Sequence, residues 1–169
     1  MSANEFWTNN DGLNVRFGLE KGTAAKMGRL STMGDKGELV VDFGFADISN
    51  TDSVVGTHPL AGVPSGSFIE SATLYVKTAF AGSSSTLNIG LWNDDGDGTF
   101  SVNDADGIDA AIAVAAIDAI DDKIACNGAL VGTTPAGTGD RDLYVSVQWG
   151  TALFSAGAAR LVIVYSKNV

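Results

Sequence analysis

From residue 38 onward the chain repeats one pattern, short apolar or alternating runs separated by turns rich in Gly, Ser, Asn and Asp. Such runs are strands that hide one face in a sandwich or barrel. They are ELVVDFGF (Glu38 to Phe45), FIESATLYVKTAF (Phe68 to Phe80), TLNIGLW (Thr86 to Trp92), Lys123 to Val131, Leu143 to Trp149 and Arg160 to Tyr165. Leu87, Ile89 and Leu91 alternate, and the AGSSS turn before them predicts a hairpin with the preceding strand. The nearly continuous LVIVY predicts a central strand covered on both faces. The pattern as a whole predicts an all-β fold, a single jelly-roll-like β-sandwich domain over residues 38–169, with an extended arm over 1–37. A chain of 169 residues buries enough surface to need no covalent staple.

Two stretches break the pattern. Residues 1–37 are punctuated by Gly12, Gly18, Gly22, Gly28, Gly34 and Gly37, with one short strand expected in LNVRFGL. This arm carries Arg16, Lys21, Lys26, Arg29 and Lys36 against Glu5, Asp11, Glu20 and Asp35, a balance of +1 in a chain of net charge −10. The arm is therefore a candidate contact for an acidic partner surface. Trp7, Val15, Arg16, Phe17, Lys21, Lys26 and Arg29 are its expected binding residues. The second stretch, residues 93–122, holds nine aspartates and no Lys or Arg. Within this acidic insertion a short helix is expected from Asp106 to about Ala113, with Asp106 as N-cap.

The acidic total opposes nucleic-acid binding, which needs clustered Lys and Arg on phosphates. No run of about 20 apolar residues offers a membrane span, and MSANEFWTNNDG lacks the basic and apolar regions of a secretory signal. Cys126 and His58 are each the sole residue of their type, which excludes thiolate-rich zinc sites and multi-histidine centres. No nucleophile elbow or phosphate cradle occurs, so an enzyme is not expected. The sharpest local signal is NDDGDGTFSVND, which spaces oxygen ligands as a calcium loop does: Asn93, Asp95, Asp97, Thr99, Ser101 and Asp104, with Gly98 at the turn. A structural Ca²⁺ is the only cofactor expected. The bland alternative is a solvated Asp/Asn/Gly turn. Trp92 and Trp149 end expected strands, so they offer a carbohydrate platform or rim packing.

Several segments, GLNVRFG, GVPSGSFIESATLYVKTAF, GLWNDDGDG, GIDAAIAVAAIDAI, ACNGALVG and ARLVIVYS, together resemble small virion proteins of tailed bacteriophages, particularly marine and cyanobacterial ones. The resemblance implies a decoration or cement protein on the outer capsid surface, bound to the major capsid protein, with trimers favoured. A carbohydrate-binding or adhesive sandwich of a phage fibre, calcium-stabilised, is the alternative.

Overall fold

The computed structural model describes residues 5–8, 14–17, 29–33, 36–49, 54–55, 62–97, 99–133, 135–137 and 141–167. The strands are β1 (Glu5–Thr8), β2 (Asn14–Phe17), β3 (Arg29–Met33), β4 (Lys36–Gly44), β5 (Val54–Val55), β6 (Ser67–Gly82), β7 (Thr86–Asp94), β8 (Phe100–Ala113), β9 (Lys123–Ala125), β10 (Pro135–Ala136), β11 (Leu143–Trp149) and β12 (Phe154–Ser166). The larger sheet runs β10-β6-β12-β4-β3, with β9 also on β6, and the smaller runs β5-β11-β7-β8. All paired strands are antiparallel. The protein is an all-β sandwich, and β1 and β2 form a separate two-stranded ribbon.

Period-2 alternation builds the core. Leu39, Val41 and Phe43 of β4, Leu74 and Val76 of β6, and Leu161, Ile163 and Tyr165 of β12 point inward. They share one buried cluster with Leu87, Ile89 and Leu91 of β7 and Val145 and Val147 of β11. The segment after β9 ties the layers together, because the Cys126 N–H bonds the Ala72 carbonyl of β6 while Gly128 and Leu130 N–H bond Ile108 and Gly107 of β8. Within the stretch read as the arm, β3 pairs with β4.

Three expectations from the sequence are corrected. The first is the hairpin between β6 and β7, which lie in different sheets. Both edges of β6 are occupied, by β12 on one side and by β10, β9 and the Ile117–Asp122 segment on the other. The turn therefore crosses the sandwich, pinned where Ser85 Oγ donates to the Leu153 carbonyl at 2.9 Å. The second is the helix from Asp106 to Ala113, which is strand β8. Ile108 and Ile112 are four apart, a spacing that a helix and a strand share, and Ala111 at φ 53 marks a bulge that lets Asp109 and Ile112, three apart, both face inward opposite Ile89 and Leu87. The stretch between Asp104 and Asp109 arches away from β7, whose register partners Leu91 and Ile89 are only two residues apart. Gly90 lies under this arch, where a side chain would collide with the Asp104–Ala105 backbone. The third concerns LVIVY, which is central but covered on one face only, Val162 and Val164 being half-exposed.

Leu161 is fully buried between Val41 and Leu74 in register. Leu161→Ala is expected to cost about 2–5 kcal/mol, read as a lowered denaturant midpoint at unchanged slope.

Candidate functional site

The residues that alternate with the core form the outer face of the larger sheet. Asp42, Arg160 and Tyr75 stand in one cross-strand row, since Arg160 partners both of the others. Val40, Val162 and Thr73 make the next row. Arg160 grips Asp42 with two parallel bonds, Nε to Oδ1 at 2.9 Å and Nη2 to Oδ2 at 2.8 Å, the fork geometry that makes guanidinium–carboxylate pairs directional. Lys77 Nζ reaches the same carboxylate at 2.9 Å, and Lys123 Nζ lies 5.4 Å from the Tyr75 ring centroid. A shallow depression of about 660 Å³ opens here, with Val40, Val162 and Tyr75 in its lining. Towards one end Glu70 accepts from Lys36 Nζ at 2.7 Å and Ser166 Oγ at 2.6 Å. The face thus joins a half-exposed apolar strip to cations that outnumber their carboxylates.

Charge within this face is tightly held. The Arg160 hydrogen bonds, followed by Lys77, keep the Asp42 carboxyl below its usual range despite partial burial, and Asp42 in turn raises Arg160. Lys36 and Ser166 lower Glu70 in the same way.

Of the expected calcium ligands, Asn93, Asp95, Thr99 and Ser101 lie at the β7–β8 turn with Asp97, and Gly98 is outside the described residues. Their oxygens are engaged locally. Asp97 accepts from the Thr99 N–H and hydroxyl, Asp95 from Ser101 Oγ, and Asn93 from Asn103 Nδ2. Thr99 accordingly lowers Asp97. Asp104 is not brought to the turn: it partners Leu91, whereas Ser101 partners Asn93, which sets it roughly 10 Å further along the strand. Among the described residues no group of three or more His, Cys, Asp or Glu converges on one point.

The arm residues are placed in part. Trp7 of β1 partners Val15 of β2, Phe6 partners Arg16, and Glu5 partners Phe17, while Arg29 opens β3. Lys21, Lys26 and His58 lie outside the described residues. Trp92 is buried and presents no stacking surface, and Trp149 packs half-buried on the core. Cys126 is buried, and desolvation together with Asp109 pushes its thiol up to about 12. It is therefore a thiol at neutral pH, without the thiolate that nucleophilic chemistry requires.

Sequence reasoning missed Asp109, which is only 6% exposed. Burial raises its pKa, opposed by hydrogen bonds from the Ala110 and Asn127 N–H groups and from Cys126. It missed the Asp42–Arg160–Lys77 cluster as well. The outward positions were readable from alternation, but the pairing joins residues 118 apart.

The structure is an all-β sandwich whose larger sheet presents a charged, part-apolar outer face. No family model matches the chain, and no curated protein matches it. Among solved structures, a chain of the cyanophage Pam1 capsid asymmetric unit is similar in fold, at 16% identity and TM-score 0.46, with 89% of this chain and 100% of that chain covered. A chain of the capsid of Ralstonia phage GP4 is similar at 16% identity and TM-score 0.43, with 77% of this chain and 85% of that one covered.

The two buried or paired aspartates have opposite pH signatures. Asp42, lowered on folding, contributes stability above about pH 4 that is lost as pH falls through its depressed folded value. Asp109, raised on folding, is destabilising when ionised, and that penalty is relieved as pH falls through its raised value. Thermal melts should show Asp42→Asn less stable than the parent at pH 7, with the difference shrinking as the pH falls below about 4. Asp109→Asn should be more stable than the parent at pH 7, with the gain vanishing on acidification.

Proposed function

We propose that the protein is a non-enzymatic virion structural protein that binds the outer surface of a phage capsid and reinforces it, as a decoration or cement protein. The observation that carries this reading is the outer face of the larger sheet, where the Val40–Val162–Tyr75 strip is bordered by the Asp42–Arg160–Lys77 cluster. An apolar centre with a charged border is the anatomy of a protein-binding surface. Strands paired on both sides hold it rigid, so little conformational entropy is lost on docking. The sequence resemblance to tailed-phage virion proteins supplies the partner, the major capsid protein, and a homo-oligomeric state with trimers favoured. Several copies acting together then clamp a lattice through individually modest contacts.

Pelleting with capsid shells that lack the protein tests this. The expected result is saturable binding at a fixed ratio to the major capsid protein, together with a higher shell melting temperature. Val162→Asp, a half-exposed site, should weaken binding at least about tenfold by placing a charge in the apolar strip. Absence of saturable binding would remove the cement reading. Undiminished binding by a folded Val162→Asp protein would remove this face from it.

A further inference from the structure

The chain holds one Asn–Gly step, Asn127–Gly128, and it falls in the segment that ties the two sheets together. An asparagine before glycine is chemically labile, because the glycine nitrogen, unshielded by a Cβ and free in its backbone angles, can reach the side-chain amide carbon. Asn127 is exposed, whereas Cys126 before it and Leu130 after it are buried in the core. Its backbone is held on both sides. The Asn127 N–H donates to the buried Asp109 carboxyl, the Gly128 N–H donates to the Ile108 carbonyl at 2.8 Å, and the Leu130 N–H donates to the Gly107 carbonyl at 2.8 Å. The fit is tight at Gly128, where a side chain would collide with the Gly107–Ile108 backbone. Residues 126–130 thus form a clasp on β8 in which the labile amide faces water and the nitrogen that would attack it is bonded away.

We propose that Asn127 is a site of spontaneous deamidation, reached by local opening of this clasp, and that the modified residue holds the clasp open. Opening frees the Gly128 nitrogen from Ile108. The nitrogen attacks Cγ of Asn127, a C–N bond forms, the Cγ–Nδ2 bond breaks, and Nδ2 leaves as ammonia with the proton given up by Gly128. Water then adds to either carbonyl of the cyclic imide and reopens it, giving aspartate or isoaspartate. Both products set a second carboxylate beside Asp109, whose acceptor bond comes from the backbone of this same residue, and like charges disfavour each other there. Isoaspartate also lengthens the main chain by a methylene just before Gly128, where the packing on β8 leaves no room. The change is irreversible, so it converts a transient opening into a lasting one. This goes beyond capsid binding and does not depend on it.

The test incubates the full-length protein at mildly alkaline pH and physiological temperature. Peptide mapping by mass spectrometry follows Asn127, and iodoacetamide labelling of Cys126, the sole thiol and a buried one, follows the clasp. Asn127 is expected to convert to aspartate and isoaspartate in the native protein. Leu130→Ala, which removes the clasp's buried anchor, should raise that rate at least about tenfold, whereas Leu161→Ala, a core change in β12, should leave it unchanged. Cys126 should be labelled at least about tenfold faster in Asn127→Asp, and in the converted fraction of aged protein, than in Asn127→Gln, which keeps a neutral amide. Three results would each overturn the proposal: no conversion of Asn127 in the native protein, equal acceleration by Leu161→Ala and Leu130→Ala, or Cys126 labelling that is the same in Asn127→Asp and Asn127→Gln. The last comparison changes only an exposed residue, so it decides the matter even where Leu130→Ala does not fold.

Discussion

Strand β12 is held between β4 on one side and β6 on the other by a ladder whose register governs the whole larger sheet. Leu161 lies between Val41 and Leu74, and the neighbouring Arg160 lies between Asp42 and Tyr75. A slip of one residue would put the leucine in water and the guanidinium in the core. The same register therefore specifies the core and assembles the outer charged face. Stability and surface recognition are two sides of one alternation.

Charge is distributed unevenly over this scaffold. The outer face of the larger sheet collects Lys36, Lys77, Lys123 and Arg160, each near an acid or an aromatic ring. The far end of the smaller sheet collects aspartates with little compensation. Local hydrogen bonds make that end tolerable, since Asp94, Asp95 and Asp97 each accept from a neighbouring residue of their own turn. Deeper in, Asp109 sits where the segment after β9 clasps β8, at a cost in desolvation that backbone N–H groups and the Cys126 thiol partly offset.

Alternation was a reliable guide wherever a strand had one wet face. Glu38–Phe45 and Thr86–Trp92 lie close to β4 and β7, and Leu143–Trp149 lies close to β11 although that strand is buried on both faces from Leu143 to Val147. It misled in the acidic stretch, because the four-residue spacing of Ile108 and Ile112 fits a helix and a strand alike, while the bulge at Ala111 and the arch before Asp109 break the alternation that would mark a strand. Spacing of oxygen ligands had the same weakness: from Asn93 to Asp104 it is that of a loop closing on one point, whereas β7 and β8 draw the far end along a ladder.

By itself the sequence determined the fold class, the inward and outward positions of the regular strands, and the separation of an acidic end from an arm with a slight basic excess. These are local properties, set by side-chain period and composition. Only the tertiary structure decided which strands are neighbours, and hence that β6 and β7 lie in opposite sheets and that Asp42 meets Arg160. Pairing depends on which strand edges are already occupied and on contacts between residues far apart in the chain, and neither quantity is written in any single segment.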